Sequence, residues 1–486
     1  MTKEISPNEN QISSNSLTTP RALLWLLCLS FVAVGAKNFE DGMAIDAHTY
    51  AMLARRIAQT GEWFHLQGTT PEFKIFAEHP HLGFWLLAFI FKVLPSADWA
   101  GRILAHLFYF GFMAVFFNYL RLISGLKTAV ASVLLLWSWG RFSNFFSIYL
   151  DPGCLFFGFT AIVCLDRGFA RTGQKGLLSL MSLLAGVCLA LSLMYKGLTA
   201  LGFVPAIFLL IPLNFKRERL LPILGCLASF IIGCSMVLLI YFIAVRNSSV
   251  PEFFEIYWQR QWINRFSRTL NWTHIFSYLF WIKLWQDTNY LAPLCLLAVF
   301  KFGKSSRIIV PWVLLSSFVA MYATNDRIGV NYWITVLPWL AWIIADSIAS
   351  ALSWNPENWV RWTGGISVII IMLVQYVPVR VHGVPSADLG SIAKLKKEKR
   401  IDRLVVDLAP EPIDFTVTDY YSWYSNLPIS FLDRTSRVET PEQGVLHILY
   451  KNSSIRITEI KKAGWCLYET YNNLSLWIGC PARFVQ

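Results

Sequence analysis

Between Glu40 and Trp85 the sequence carries six carboxylates: Glu40, Asp41, Asp46, Glu62, Glu72 and Glu78. The segment reads EDGMAIDAHTYAMLARRIAQTGEWF and, after a short gap, FKIFAEHPHLGFW. A free carboxylate is ionised at neutral pH and can take a proton from an attacking hydroxyl without tuning. Asp46 is the leading candidate for that work. It also precedes the helical pattern TYAMLARRIAQ, where Asp serves as an N-cap; the two roles are compatible. Asp151 sits before Pro152 at the mouth of an apolar run, where helix initiation and chemistry are both open. Lys196 lies between apolar segments, where a cation is costly unless paired or solvated. A lipid phosphate is a natural partner, and a snorkelling side chain is the bland alternative. Arg327 offers a bidentate fork for phosphate, or pairs with Asp326 or lipid headgroups. Glu78 and His79 could together hold a sugar donor or a divalent metal, although two ligands do not make a metal site. Asp41, Arg55, Arg56 and Arg102 are candidates for supporting groups around an acceptor, with solvated surface positions as the simpler expectation. Arg260, Arg265 and Arg268 stand among Trp258, Trp262, Phe266 and Trp272. That spacing suits a helix at the membrane interface, or a gate for a lipid substrate.

The elements that must position these residues are apolar. The chain has 486 residues, 55% hydrophobic and only 15% charged, which indicates an integral membrane protein. The net charge of +12 acts through its placement. No basic, aromatic-interleaved soluble domain accompanies it, so nucleic acid is not an expected partner, whereas membrane lipid is. Basic clusters fall at Arg121/Lys127, Arg167/Arg171/Lys175, Lys216/Arg217/Arg219, Lys301/Lys304/Arg307 and Arg361. If these face the cytoplasm, the intervening runs cross in pairs. The expected spans are 22–36, 100–120, 128–148, 152–166, 177–195, 198–213, 220–245, 288–300, 308–323, 329–346 and 362–379.

One run, LGFWLLAFIFKVLP at 82–95, is too short to span and breaks the alternation if it crosses. It is expected to lie at the interface within a first external loop, 37–99. The Asp151 turn, the loop 246–287 and a tail, 380–486, then face the same side. Residues 1–21 are Ser/Asn/Thr-rich and expected to be disordered in the cytoplasm. The segment after them reads as a retained signal anchor, although Val34-Gly35-Ala36 loosely fits a cleavage site. In the tail, LVVDLAP, VLHILY and SIRITEI read as short strands and KLKKEKR as a charged linker or helix, giving a small α/β domain. Seven cysteines lie in or beside apolar runs as packing residues; Cys466 and Cys480 stand apart, and either a disulfide or two buried thiols fits them.

The ordered set Asp46-Ala-His-Thr-Tyr50-Ala51, Ala54-Arg55, Gly61-Glu62-Trp63, Glu78-His79-Pro80 and Trp85 resembles the first-loop signature of GT-C type polytopic glycosyltransferases. The chain is similar to the dolichyl-phosphate-mannose–protein mannosyltransferases and the lipid A 4-amino-4-deoxy-L-arabinose transferases. Leu150-Asp151-Pro152, Tyr195-Lys196-Gly197, and Asp326-Arg327 with Tyr332 and Leu337-Pro338 resemble later motifs of that superfamily. The likeness runs in order over residues 22–346. The chain departs from it at Ala47, Thr49 and His79, which leaves the donor sugar and the acceptor open.

The resemblance implies an all-α polytopic membrane protein of GT-C fold, with about 11 to 13 transmembrane helices and a small C-terminal α/β extramembrane domain. It implies transfer of a sugar from a polyprenyl-phosphate-linked donor to a lipid, glycan or protein acceptor at the outer face of a bacterial inner membrane, with inversion at C1. Asp46 and Asp151 would be the catalytic carboxylates, and Lys196, Arg327 and His79 would bind the donor phosphate. Asp41, Arg55, Glu78, Arg102, Arg260 and Arg265 would surround the acceptor, and a divalent metal at Glu78 and His79 stays an open option. The alternatives are a transporter or flippase, which usually shows repeated halves that this sequence lacks, and a membrane scaffold whose tail binds a partner.

Overall fold

A computed structural model describes residues 45–68, 75–138, 147–170, 175–214, 220–263, 309–323, 334–351, 387–407, 429–432, 440–450, 454–471 and 474–479, together with Tyr421, Trp423, Ser425, Leu427 and Val438. The expected disordered segment 1–21, the spans 22–36, 288–300 and 362–379, and Asp41, Arg265, Arg268, Asp326, Arg327, Tyr332, Cys28, Cys295 and Cys480 lie outside the described residues.

The chain opens with α1 (Ile45–Thr60), which is buried on every side from Ala47 to Arg55 and stops at Gly61, where φ is +76°. Next comes α2 (Leu82–Val93), whose 12 residues reach about 18 Å, short of the ~30 Å of a bilayer core. The bundle follows: α3 (Asp98–Ile123), α4 (Leu126–Ser138), α5 (Asp151–Ala170) and α6 (Lys175–Lys196). A 3-10 stretch, Gly197–Phe203, leads into α7 (Val204–Asn214), then α8 (Leu220–Arg246). A short α9 (Phe253–Trp258) runs into a π-turn at Gln259–Ile263. Helices α10 (Ile309–Ala323) and α11 (Leu337–Ala351) complete the described apolar part. Among the described residues, Asp98–Ile123, Asp151–Phe169, Leu180–Asn214 and Leu221–Arg246 are long and apolar enough to cross a membrane.

Hydrogen bonds fix which helix ends lie together. The Tyr119 hydroxyl donates to Asp166 at 3.2 Å and the Asn214 amide to Asp166 at 3.4 Å. The far ends of α3 and α5 and the end of α7 therefore coincide. Lys196 meets Asp151, so α5 and α6 form an antiparallel hairpin whose open end carries both residues. The 35 residues of Leu180–Asn214 are too long for one crossing. Gly197, at φ +67°, breaks the helix and turns the chain back. Seven 3-10 residues and 11 α residues then span roughly 30 Å on the return.

Arg121 and Arg167 thus sit at the end of the bundle opposite Asp151. His81, before α2, bonds Tyr241 near the end of α8, and Phe91, near the end of α2, packs on the residue that Asp98 also holds. The 82–93 helix therefore begins and ends at one end of the bundle.

Two apolar clusters hold this part. One joins Phe112, Phe116, Phe159, Trp339 and Trp342 from α3, α5 and α11. The other surrounds α1 and α2. Between α6 and α8, glycines let backbones touch: a Cβ on Gly186 would strike the Phe230 carbonyl, and one on Gly233 the Leu183 carbonyl. The outer face of α8 leaves Leu221, Leu224, Ile231, Ile232, Leu239 and Ile240 exposed, as a lipid-facing surface would.

The C-terminal domain comprises α12 (Ala387–Lys399), β1 (Arg403–Asp407), β2 (Ile429–Leu432), β3 (Val445–Tyr450), α13 (Ser454–Lys462), β4 (Trp465–Tyr471) and β5 (Leu474–Gly479). The sheet order is β2-β1-β3-β5-β4. β1 runs parallel to β2 and β3, and β5 antiparallel to β3 and β4. SIRITEI, expected as a strand, is the helix α13. Ile455 and Ile457 stand two apart as in a strand, but Ile457 and Ile460 stand three apart and pack onto the sheet beside Trp465 and Trp477 with helical spacing. Cys466, on β4, is disulfide-bonded.

Candidate active site

The first turn of α1 presents Asp46, half-buried, at a helix N-terminus, where the backbone dipole favours negative charge. One turn on, the Tyr50 hydroxyl shares a hydrogen bond of 3.0 Å with His79 Nε2. Phe76 tilts against the His79 ring at 6.3 Å. Glu78, beside it, accepts a hydrogen bond from the Gln261 side-chain amide and has Arg260 Nη1 at 3.9 Å. Arg260 also donates to the Ile75 carbonyl at 3.3 Å. The π-turn makes this possible, because its wider winding aims Gln261 inward while Trp258 and Trp262 stack on each other, 4.9 Å apart.

The second carboxylate comes from the α5–α6 hairpin. Lys196 Nζ donates to Asp151 Oδ1, with side chains 3% and 1% exposed. Each charge sits at the helix end that suits it: Asp151 in the first turn of α5, Lys196 in the last turn of α6. A Cβ on Gly153 would strike the Tyr195 ring, and one on Gly197 the Tyr257 hydroxyl, so both glycines let the hairpin mouth close. The Tyr257 hydroxyl accepts a hydrogen bond from the Leu198 backbone N–H at 3.3 Å, which ties the loop after α8 to this turn.

Tyr149 lies within electrostatic reach of both carboxylates. Burial raises its phenol above the ordinary range, and Asp46 and Asp151 both push it further the same way, so it stays protonated. Both carboxylates thus act electrostatically on the same phenol. The sequence reading passed over Tyr149 and Gln261. A tyrosine two residues before Asp151 was a visible signal, whereas nothing marks Gln261 within an arginine- and tryptophan-rich loop.

Behind the site His81 is fully buried between Tyr241, with its hydroxyl 2.6 Å from Nδ1, and the Phe64 carbonyl, 2.9 Å from Nε2. Burial pushes its pKa down to about 4, against a smaller opposing effect of the Phe64 carbonyl. It is a neutral strut between the loop and α8.

Arg55 and Arg102, expected at the solvated surface, are each only 6% exposed. The reason is tertiary cover. Arg55 Nη1 donates to the Trp423 carbonyl at 2.7 Å beneath the C-terminal domain, and Arg102 lies one turn inside α3, its carbonyl accepting from His106 Nδ1 at 2.7 Å. Arg56 donates to the carbonyls of Gln67 and Gly68 at 2.9 and 3.0 Å.

The structure therefore brings Asp46, Asp151 and Lys196 to one end of the bundle, with His79, Glu78 and Arg260 on the same loop end. It places Arg55 under the C-terminal domain. Among the described residues no three His, Cys, Asp or Glu side chains gather as a metal site would require.

The architecture is that of the GT-C fold, a polytopic helical membrane domain carrying a small extramembrane α/β domain. ArnT from Cupriavidus metallidurans, in a crystal structure bound to undecaprenyl phosphate, is similar with a TM-score of 0.69 at 13% identity, covering 96% of this chain and 100% of that one. Its apo structure gives a TM-score of 0.64 at 11% identity, with the same coverage. No family model and no curated protein sequence matches the chain.

Proposed function

We propose that this protein is an inverting membrane glycosyltransferase that uses a polyprenyl-phosphate-linked sugar. The observation that carries this reading is the convergence of Asp46 and Asp151 at one end of a bundle whose fold, in ArnT, has been seen with undecaprenyl phosphate bound. An acceptor hydroxyl attacks C1 of the donor sugar. The C1–O bond to phosphate breaks, the polyprenyl phosphate leaves with that oxygen and its electron pair, and the hydroxyl proton passes to Asp46. Tyr149 donates a hydrogen bond toward the reacting oxygens. Asp151 and Lys196 form a charge-balanced floor; Lys196 and His79 are assigned to the developing phosphate charge, as is Arg327, which lies outside the described residues. Glu78, held by Gln261 and Arg260, is assigned to the acceptor with Arg102.

In this reading residues 22–379 form the membrane domain, and 380–486 lie outside with the site. Arg121 and Arg167, at the opposite end, stand in the cytoplasmic positions that basic residues favour. A disulfide at Cys466 accords with an oxidising exterior. The test is mass spectrometry of lipids and glycans from cells with and without the gene. The expected result is one species that loses the mass of a single hexosyl or pentosyl unit in its absence. Identical profiles under conditions where the protein is expressed would overturn the reading.

A further inference from the structure

Among the described residues, the C-terminal domain reaches into the loop core through one side chain. Trp423 is 4% exposed, yet it belongs to the apolar cluster of α1 and α2 rather than to the core of its own domain. Its near neighbours Tyr421 and Leu427 pack in the sheet domain's core with Leu404 and Leu446. Lys396 of α12 donates to the Ser425 carbonyl at 3.1 Å, fixing the same segment to that domain. Three contacts seat the indole and a fourth holds its backbone carbonyl. Its Nε1–H donates to Asp98 Oδ1 at 2.7 Å, at the start of α3. The Arg55 guanidinium lies over the ring, 4.8 Å from its centre, and bonds the Trp423 carbonyl at 2.7 Å. Phe91, near the end of α2, packs on it at 5.5 Å. A buried cation on the indole face and a buried anion at its N–H reinforce each other, because the ring's negative face and positive N–H edge meet opposite charges. Trp offers both surfaces; Phe keeps the face and loses the donor.

The three elements joined here are α1, which carries Asp46, α2, and the start of α3. The geometry points to Trp423 as a positioning residue, a latch by which the C-terminal domain holds the Asp46 helix in register for transfer. The catalytic part of this inference rests on the transferase reading above; the latch itself does not. Arg55, nine residues along α1 from Asp46, transmits the hold along a helix buried on all sides.

The test uses the full-length protein in lipid nanodiscs, as wild type, Trp423→Phe and Trp423→Ala. Hydrogen–deuterium exchange of Ile45–Thr60 should accelerate about tenfold or more in Trp423→Ala and by less in Trp423→Phe, with α6 and α8 unchanged. With an undecaprenyl-phosphate sugar donor, kcat should fall about tenfold in Trp423→Ala while donor KM stays within about twofold, and Trp423→Phe should retain part of the rate. Exchange in Ile45–Thr60 that matches wild type in both variants overturns the latch. Accelerated exchange confined to this helix with unchanged kcat overturns its role in positioning Asp46. Should Trp423→Ala fail to assemble, the same two readouts on Trp423→Phe decide. Absence of transfer by the wild type would count against the transferase reading, and the exchange result would still decide the latch.

Discussion

Replacing Lys196 by Met removes the ammonium from a pair whose side chains are 3% and 1% exposed, while keeping most of the stem's volume. The loss therefore falls on electrostatics rather than on a cavity. Asp151 is left as a buried carboxylate without its cation, and breaking a buried pair from one side costs about 3–5 kcal/mol. The α5 dipole offsets only about 0.3–1 kcal/mol of that, since Asp151 already sits at its N-terminus. Adding Asp151→Asn removes the unpaired charge, so the double variant should recover about 2–3 kcal/mol relative to the sum of the two single changes. Denaturant unfolding in detergent micelles, followed by far-UV circular dichroism, measures all three variants against wild type. A Lys196→Met cost below about 0.5 kcal/mol, with an additive double variant, would refute the reasoning and return Lys196 to a snorkelling cation.

His81 gives a pH prediction. Its folded pKa, about 4, lies below its ordinary 6.5, so the unfolded chain binds the proton first as pH falls. Stability is fully present above pH 6.5 and should fall by roughly 3 kcal/mol in total as pH drops towards 4, a slope that His81→Phe removes in unfolding measured across that window. At Gly197, φ is +67° and a Cβ would meet the Tyr257 hydroxyl. Gly197→Ala should cost about 1–2 kcal/mol from backbone alone, with a further loss from the collision that Tyr257→Phe partly relieves in thermal unfolding.

The membrane helices were legible because hydropathy and charge placement report directly on burial in lipid. The expected run 100–120 lies within Asp98–Ile123, and 177–195 within Lys175–Lys196. Tyr195-Lys196-Gly197 was legible only through its resemblance to a family motif; the positive φ at Gly197 gives it physical meaning as the point where the helix breaks. Ile455 and Ile457 misled because they stand two apart as in a strand, and the choice is made by the sheet on which Ile457 and Ile460, three apart, pack. Arg55 misled for a deeper reason. A charged residue on a short helix reads as solvated, and its cover, Trp423, lies 368 residues away, beyond the reach of any local pattern. Lys196 was legible as a cation that needs a partner or solvation, with a lipid phosphate and a snorkelling side chain both open. The helical hairpin adds Asp151 as its partner within the protein, through an antiparallel return visible only once both helix lengths are known.

The central claim is that Asp46 takes the acceptor proton in sugar transfer. Its direct test is turnover of an undecaprenyl-phosphate-linked sugar by purified protein in proteoliposomes containing a membrane extract as acceptor, comparing wild type with Asp46→Asn. The amide keeps the size of Asp46 but cannot accept the proton at neutral pH. The account predicts labelled product from wild type and a loss of about 100-fold or more in Asp46→Asn, with unchanged insertion and unfolding midpoint. Wild-type turnover by Asp46→Asn would contradict it.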